Sequence, residues 1–315
     1  MRNLIYLSPK LNKPIGGIKV IHKHSELINR MGFKSQIYYI YGACQEVNWF
    51  EHAADIKNDS YFSSNNDFVI IPESQIFNTW EKFYTAGVPY AIFVQNGYLI
   101  TKNIDLNKMR DCYEKAHLII VISSDSARCI FSIFPEFASK VIRVIYSVET
   151  SLFRPLIKEK LITYMPRKMA SHSELLVSLL RGKIPKDWRI EPIDNMSESG
   201  VAEILSRSSV FLAFSDFEGL PIPPVEAALS GNFVIGYTGQ GGSEYWHEPV
   251  FKRIEMGDII SFLEETLSRI DRIEKFGSTL NSEIMSDLVD IFSPAHEEKK
   301  ILELINMVKK CCPSN

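Results

Sequence analysis

Two glutamates, Glu218 and Glu226, stand eight positions apart in the stretch DFEGLPIPPVEAALSG, residues 216 to 231. Three prolines and a glycine lie between them. Pro223 and Pro224 suit the first turn of a helix, where a missing N–H costs nothing. Glu226 then falls inside that first turn, where the helix dipole favours a carboxylate. The dipole alone could account for Glu226. Glu218 has no such reason, because it precedes the helix in a loop that the prolines stiffen. A stiff loop fixes both carboxylates in one direction. Glu226 could accept both hydroxyls of a ribose. Glu218 could hold sugar hydroxyls or stabilise charge at a reacting carbon.

Cations and glycines occur at comparable places. Arg167 and Lys168, in TYMPRKMASHSELL, follow an apolar run and precede a helical one. Two cations there suit a diphosphate, and a solvated basic loop fits equally well. Gly16 and Gly17, in PIGGIKVIHK, open the first helical segment. Glycines let a ligand approach the backbone, and a helix N-terminus attracts anions. The full G-x-G-x-x-G pattern is missing, so a plain turn between strand and helix is also open. Gly239, Gly241 and Gly242 crowd GYTGQGGSEYW ahead of Ser243 and Glu244. Amides in such loops can cradle anions or sugar hydroxyls, and a simple turn is the alternative. His172 follows the basic pair and could see phosphate, although a surface histidine at a helix start is the plainer reading. His22 and His24 fall within a helical pattern.

These residues need a scaffold, and the apolar patterning describes one. NLIYLS, SQIYYI, DFVIIPE, YAIFVQN, LIIVIS and KVIRVIYS are short runs rich in β-branched residues, with polar or helix-like segments between several of them. Continuous apolar strands alternating with helices predict a parallel sheet covered on both faces. The pattern breaks at ETSLFRPLIK and restarts with LITYM, WRIEPI, VFLAFS and NFVIGY, separated by helical stretches. The residues after 257 read as helices only. The predicted domains are 1–150 and 151–292, with a terminal helix over 293–315 that completes the first. Two doubly wound sheets predict ligand binding in a cleft at the carboxyl ends of their strands, where all the residues above fall.

The 315 residues exceed the comfortable size of one core, consistent with two domains. A net charge of −3 supplies no basic excess for nucleic acid. No run approaches the roughly 18 apolar residues of a membrane span, and the N-terminal apolar run is too short for a signal peptide. The five cysteines, Cys44, Cys112, Cys129, Cys311 and Cys312, include no C-x-x-C pair. They predict reduced thiols in a cytoplasmic protein rather than a disulfide framework or a zinc site.

EGLPIPPVEAALSG resembles the E-x7-E signature of retaining glycosyltransferases of the GT-B fold, in glycosyltransferase family 4. The common pattern there reads like EGFGLPPLEAMACG, followed by a strand and a GG-x-E loop. GGIKVIHKHSELINRMG is similar to the glycine-rich first loop and helix of that family, and VIYSVETSLFRP is similar to its linker. PIPPVEAALSGNFVIGYTGQGGSEYW is similar to a bacterial branch linked to cell-surface polysaccharide synthesis. The resemblance implies an α/β GT-B fold of two Rossmann-like domains, an N-terminal acceptor domain and a C-terminal donor domain. It implies transfer of a sugar from a nucleoside-diphosphate donor to a glycan or lipid-linked acceptor, without cofactor. No DxD motif is present, and family members generally do without a divalent metal.

The resemblance also assigns residues. Glu226 would bind the donor ribose, and Glu218 would contact the donor sugar or its phosphate. Arg167 and Lys168 would neutralise the departing diphosphate, with Gly16 and Gly17 meeting it from the other side. Gly219 and Leu220, and then Gly241, Gly242 and Glu244, would complete the donor site. There are two departures. The basic pair is adjacent here, where the family spaces it, and Gln95 and Asn96 stand where many members carry an acceptor-side histidine. The second departure keeps open a non-catalytic binding or scaffolding relative. A GT-B epimerase is a further alternative, but no acid/base set for it can be placed. Room is left for a homodimer. Lys309, Lys310 and RGKIPKDWR could touch an anionic membrane on its cytoplasmic side, and solvated charges are the plainer reading.

Overall fold

The computed structural model describes residues 2–11, 15–40, 47, 49–101, 104–278, 280 and 282–313. Cys44 lies outside them. The chain divides into two compact units, Met1–Tyr146 with Ala295–Asn315, and Ser147–Pro294.

The first unit is a parallel sheet wrapped by helices. Its elements in chain order are β1 (Asn3–Ser8), α1 (Gly16–Arg30), β2 (Ser35–Tyr39), β3 (Asp67–Pro72), α2 (Ile76–Thr85), β4 (Tyr90–Val94), α3 (Leu106–Lys115), β5 (Leu118–Val121), α4 (Ser124–Ile133) and β6 (Val141–Arg143). The strand order is β2-β1-β3-β4-β5-β6, every pair parallel. β1, β3, β4 and β5 are buried along their whole length, which is why they read as unbroken apolar runs. Asp105 and Ser123 cap α3 and α4 by accepting from amides of the first turn, each contributing about 1 kcal/mol. α1 has no side-chain cap, so its first amides are not taken by a capping side chain. Gly32, at φ +80°, closes the other end of α1.

The C-terminal helix α10 (Pro294–Cys311) belongs mainly to this unit. Its buried Glu297 carries Oε1 to 3.2 Å from Nε2 of the buried His24 on α1. His24 Nε2 makes no hydrogen bond among the described residues. The His24 ring stacks on Phe93 of β4 at 5.5 Å.

The second unit repeats the architecture with β7 (Leu161–Tyr164), α5 (Ala170–Arg181), β8 (Arg189–Pro192), α6 (Glu198–Arg207), β9 (Val210–Ala213), α7 (Pro223–Leu229), β10 (Phe233–Gly236), β11 (Phe251–Arg253), α8 (Ile259–Phe276) and α9 (Ser282–Ile291). The parallel strands run in the order β11-β10-β9-β7-β8. The chain steps from β7 outward to β8, then crosses back to lay β9 on the other side of β7. Loops leaving the carboxyl ends of β7 and β9 therefore diverge and leave a crevice between them. In the first unit the same reversal falls between β1 and β3.

Lys158 fastens the amino-terminal ends of the central strands of the second sheet. Its ammonium donates to the carbonyls of Leu205 (3.3 Å), Ser208 (2.8 Å) and Ser230. One cation thereby satisfies the C-terminal ends of both α6 and α7, where the helix dipoles favour it. Burial draws its pKa down to about 7.

Candidate active site

The β7–β9 reversal brings together two of the residues singled out by type. Lys168 follows β7, Glu218 follows β9, and Lys168 Nζ donates to Glu218 Oε1 at 2.5 Å. Met165, Ser215, Pro223 and Pro224 line the same hollow. Both side chains stay partly exposed, so solvent screens the pair and it adds little to stability.

The backbone at this rim is strained. Among the described residues, four non-glycine residues have positive φ: Met169 (47°), Asn195 (52°), Phe217 (44°) and Gln240 (72°). They occupy the four successive loops that leave β7, β8, β9 and β10. Such conformations cost on the order of 1–3 kcal/mol each and persist only where the surroundings impose them. Met169 and Phe217 directly adjoin Lys168 and Glu218, so strain and paired charges coincide.

The packing that imposes this conformation runs between the loops after β9 and β10. Glu218 N donates to Gly239 O at 2.8 Å, and Gly241 N donates to Glu218 O at 3.1 Å, as in a parallel bridge. Gly241 N also reaches Gly239 O at 3.1 Å, closing a tight turn over Gln240. A Cβ on Gly241 would stand 1.9 Å from Gly219 O, so no other residue fits there. Tyr245, buried, donates its hydroxyl to Pro221 O at 2.5 Å and pins the proline loop from below. The amides of Gly241 and Gly242 are both spent within the loop. Its glycines therefore serve close backbone packing that fixes the Glu218 backbone.

The remaining residues of this unit take separate positions. Gly219 and Leu220 are buried, with Leu220 in the core. Glu226 is half-buried in the first turn of α7, just after the two prolines that line the hollow. Arg167 is exposed and makes no ion pair among the described residues. Adjacency in sequence therefore sends Lys168 and Arg167 to different surroundings. Glu244 is half-buried. His172 is half-buried, with Nδ1 3.1 Å from the hydroxyl of Tyr237, a buried residue following β10. Burial is the main cause that raises the Tyr237 pKa.

In the first unit, Gly16 is exposed at the uncapped start of α1, and a Cβ there would meet nothing within 4 Å. At Gly17 a Cβ would stand 2.2 Å from Gln95 Oε1. Gln95 Nε2 donates to Gly17 O at 3.0 Å, tying the loop after β4 to the first turn of α1. Asn96 caps a short 3-10 turn through the Tyr98 amide at 3.0 Å. The buried Glu73 organises both residues by accepting from the amides of Gln95 (3.2 Å) and Asn96 (3.1 Å). Glu73 and Tyr245 lie outside the residues that the sequence motifs mark for the site. The signal for Glu73 was an acid placed directly after the apolar run DFVIIP.

Compared by sequence, the chain matches no family model and no curated protein. Solved structures match it along its whole length. Sucrose-phosphate synthase from Thermosynechococcus elongatus superposes with a TM-score of 0.75 at 11% identity, covering 98% of this chain and 100% of the other. HepE from Anabaena, solved with UDP and glucose, gives a TM-score of 0.71 at 11% identity, covering 97% and 100%. A glycosyltransferase from Rickettsia africae gives 0.68 at 11% identity, covering 100% and 99%. At such identities the likeness speaks for the fold. The chain has the α/β architecture of the GT-B fold.

Proposed function

We propose that this protein is a retaining glycosyltransferase. It would move a sugar from a nucleoside-diphosphate donor to a glycan or lipid-linked acceptor, in the synthesis of a cell-surface polysaccharide. The observation that carries the reading is the meeting of Lys168 and Glu218 at the β7–β9 reversal, on a rim whose backbone is held under strain. HepE, of the same fold, was solved with UDP and glucose, which supports a donor of this class.

On this reading Met1–Tyr146 with the terminal helix serves the acceptor and Ser147–Pro294 serves the donor. Glu226 accepts hydroxyls of the donor ribose. Lys168, with Arg167 available from solvent, neutralises the diphosphate. Glu218 faces the sugar, and Gly219, Leu220, Gly241, Gly242 and Glu244 shape the surrounding wall. The bond between the anomeric carbon and the diphosphate oxygen breaks as the acceptor hydroxyl oxygen bonds to that carbon on the same face. The hydroxyl proton passes to the departing diphosphate oxygen. Cationic side chains and the uncapped start of α1 at Gly16 and Gly17 stabilise the developing charge, so no metal is required. Gln95 and Asn96, held by Glu73, stand on the acceptor side.

The test is a screen of UDP-, GDP-, dTDP- and ADP-sugars by calorimetry and nucleotide release without added metal, for wild type and Glu226→Ala. One donor should bind and be slowly hydrolysed, and Glu226→Ala should abolish both. Binding without release, even with candidate acceptors, would favour a non-catalytic sugar-nucleotide binder. No binding to any donor would overturn the reading.

A further inference from the structure

The second unit holds another charged hollow, at the opposite end of its sheet from Lys168 and Glu218. It measures about 60 Å³, opens to solvent, and is lined by Ile235, Glu248, Lys252, Glu265, Ser268, Arg269 and Arg272. Lys252 of β11 is already matched: its ammonium lies 3.1 Å from Glu248 and 3.3 Å from Glu265. That leaves Arg269 and Arg272, one turn apart on α8.

Arg269 is the unusual one. It is only 7% exposed, yet it makes no ion pair among the described residues. Its guanidinium lies over the Phe233 ring at 4.1 Å and donates from one Nη to Pro249 O at 3.2 Å. Five N–H donors are available on a guanidinium, and Pro249 O takes one of them. Burying a cation that forms no direct ion pair is costly. Burial first, and then Arg272, disfavour the charged form of Arg269, while Glu248 and Glu265 partly offset them. Those two glutamates also pair with Lys252, so the hollow holds three cations against two carboxylates.

We propose that Arg269 and Arg272, with the Ser268 hydroxyl at the mouth, form an oxyanion site. Its ligand is a phosphate group, as inorganic phosphate or as the head of a phosphomonoester. Guanidiniums one turn apart on a helix can each offer paired N–H donors to such a group. The ligand supplies a counter-charge for the one cation that the two carboxylates leave in excess. The same guanidinium grips Pro249 O, a few residues beyond the glycine loop that fixes the Glu218 backbone, so the anion lies close in sequence to that loop. The proposal does not depend on the transferase reading.

Titration calorimetry with inorganic phosphate, and separately with glycerol 3-phosphate, tests it at constant ionic strength. Wild type should show one saturable site, and Lys168→Ala should match it. Arg272→Gln, an exposed change that spares the core, should weaken binding at least tenfold, and Arg269→Gln should do the same if it folds. Equal binding of both probes identifies a phosphomonoester head as the recognised group, whereas phosphate alone identifies the free ion. The proposal falls if wild type binds neither probe, if Arg272→Gln binds as wild type does, or if Lys168→Ala abolishes binding.

Discussion

Lys168 and Glu218 neutralise each other across the 2.5 Å between Nζ and Oε1. A diphosphate arriving at Lys168 must therefore compete with Glu218. Glu218→Gln removes the competitor and should tighten binding of the free nucleoside diphosphate several-fold, roughly 3- to 10-fold. Turnover should fall by about 100-fold, the scale of losing one charge-stabilising group. Lys168→Ala should weaken nucleotide binding by about tenfold. Calorimetry and nucleotide-release rates on both variants check this. An unchanged nucleotide affinity in Glu218→Gln would mean that the pair does not gate the phosphate.

Gly241 and Gly16 should separate packing from ligand approach. Gly241→Ala drives a Cβ to 1.9 Å from Gly219 O, against backbone that cannot yield cheaply. A loss of about 3 kcal/mol or more in urea unfolding is expected, at the upper end for overpacking. Gly16→Ala meets no atom within 4 Å and should leave stability unchanged or slightly raised, because alanine favours the helix over glycine. If a donor diphosphate approaches the backbone there, Gly16→Ala should still weaken donor binding by about tenfold. Intact donor binding would remove Gly16 from the site.

The strands were legible because parallel strands buried on both faces leave unbroken apolar runs, as in LIIV of β5 and VFLA of β9. β11 escaped notice because it has three residues, and Lys252 and Arg253 make two of them polar. The candidate residues were legible by type, since prolines, glycines and paired charges stand out locally. Their relations were not. Lys168 meets Glu218 across 50 residues, and Gln95 meets Gly17 across 78. Such pairings are set by strand order, which no local pattern encodes. For the same reason the amides of Gly241 and Gly242 read as open to a ligand, whereas Gly241 N donates to Glu218 O and Gly242 N to Thr238 O.

Lys158 gives a pH dependence whose sign can be derived. Burial holds its folded-state pKa near 7, against about 10.4 in an unfolded chain. Between these values the unfolded state binds more protons, so stability rises with pH across that window. The contribution is fully present above about 10.4 and is lost as pH falls through 7. The carbonyls of Leu205, Ser208 and Ser230 oppose the burial effect by favouring the ammonium, so about 1–3 kcal/mol is expected rather than the full shift. Lys158→Met should be less stable at every pH, because it strands three carbonyls. Its deficit relative to wild type should widen as pH rises from 6 to 10. Urea unfolding of both proteins at four pH values reads this difference directly and cancels the titration of every other group. A constant deficit would show that Lys158 keeps its proton throughout, with the carbonyls outweighing burial.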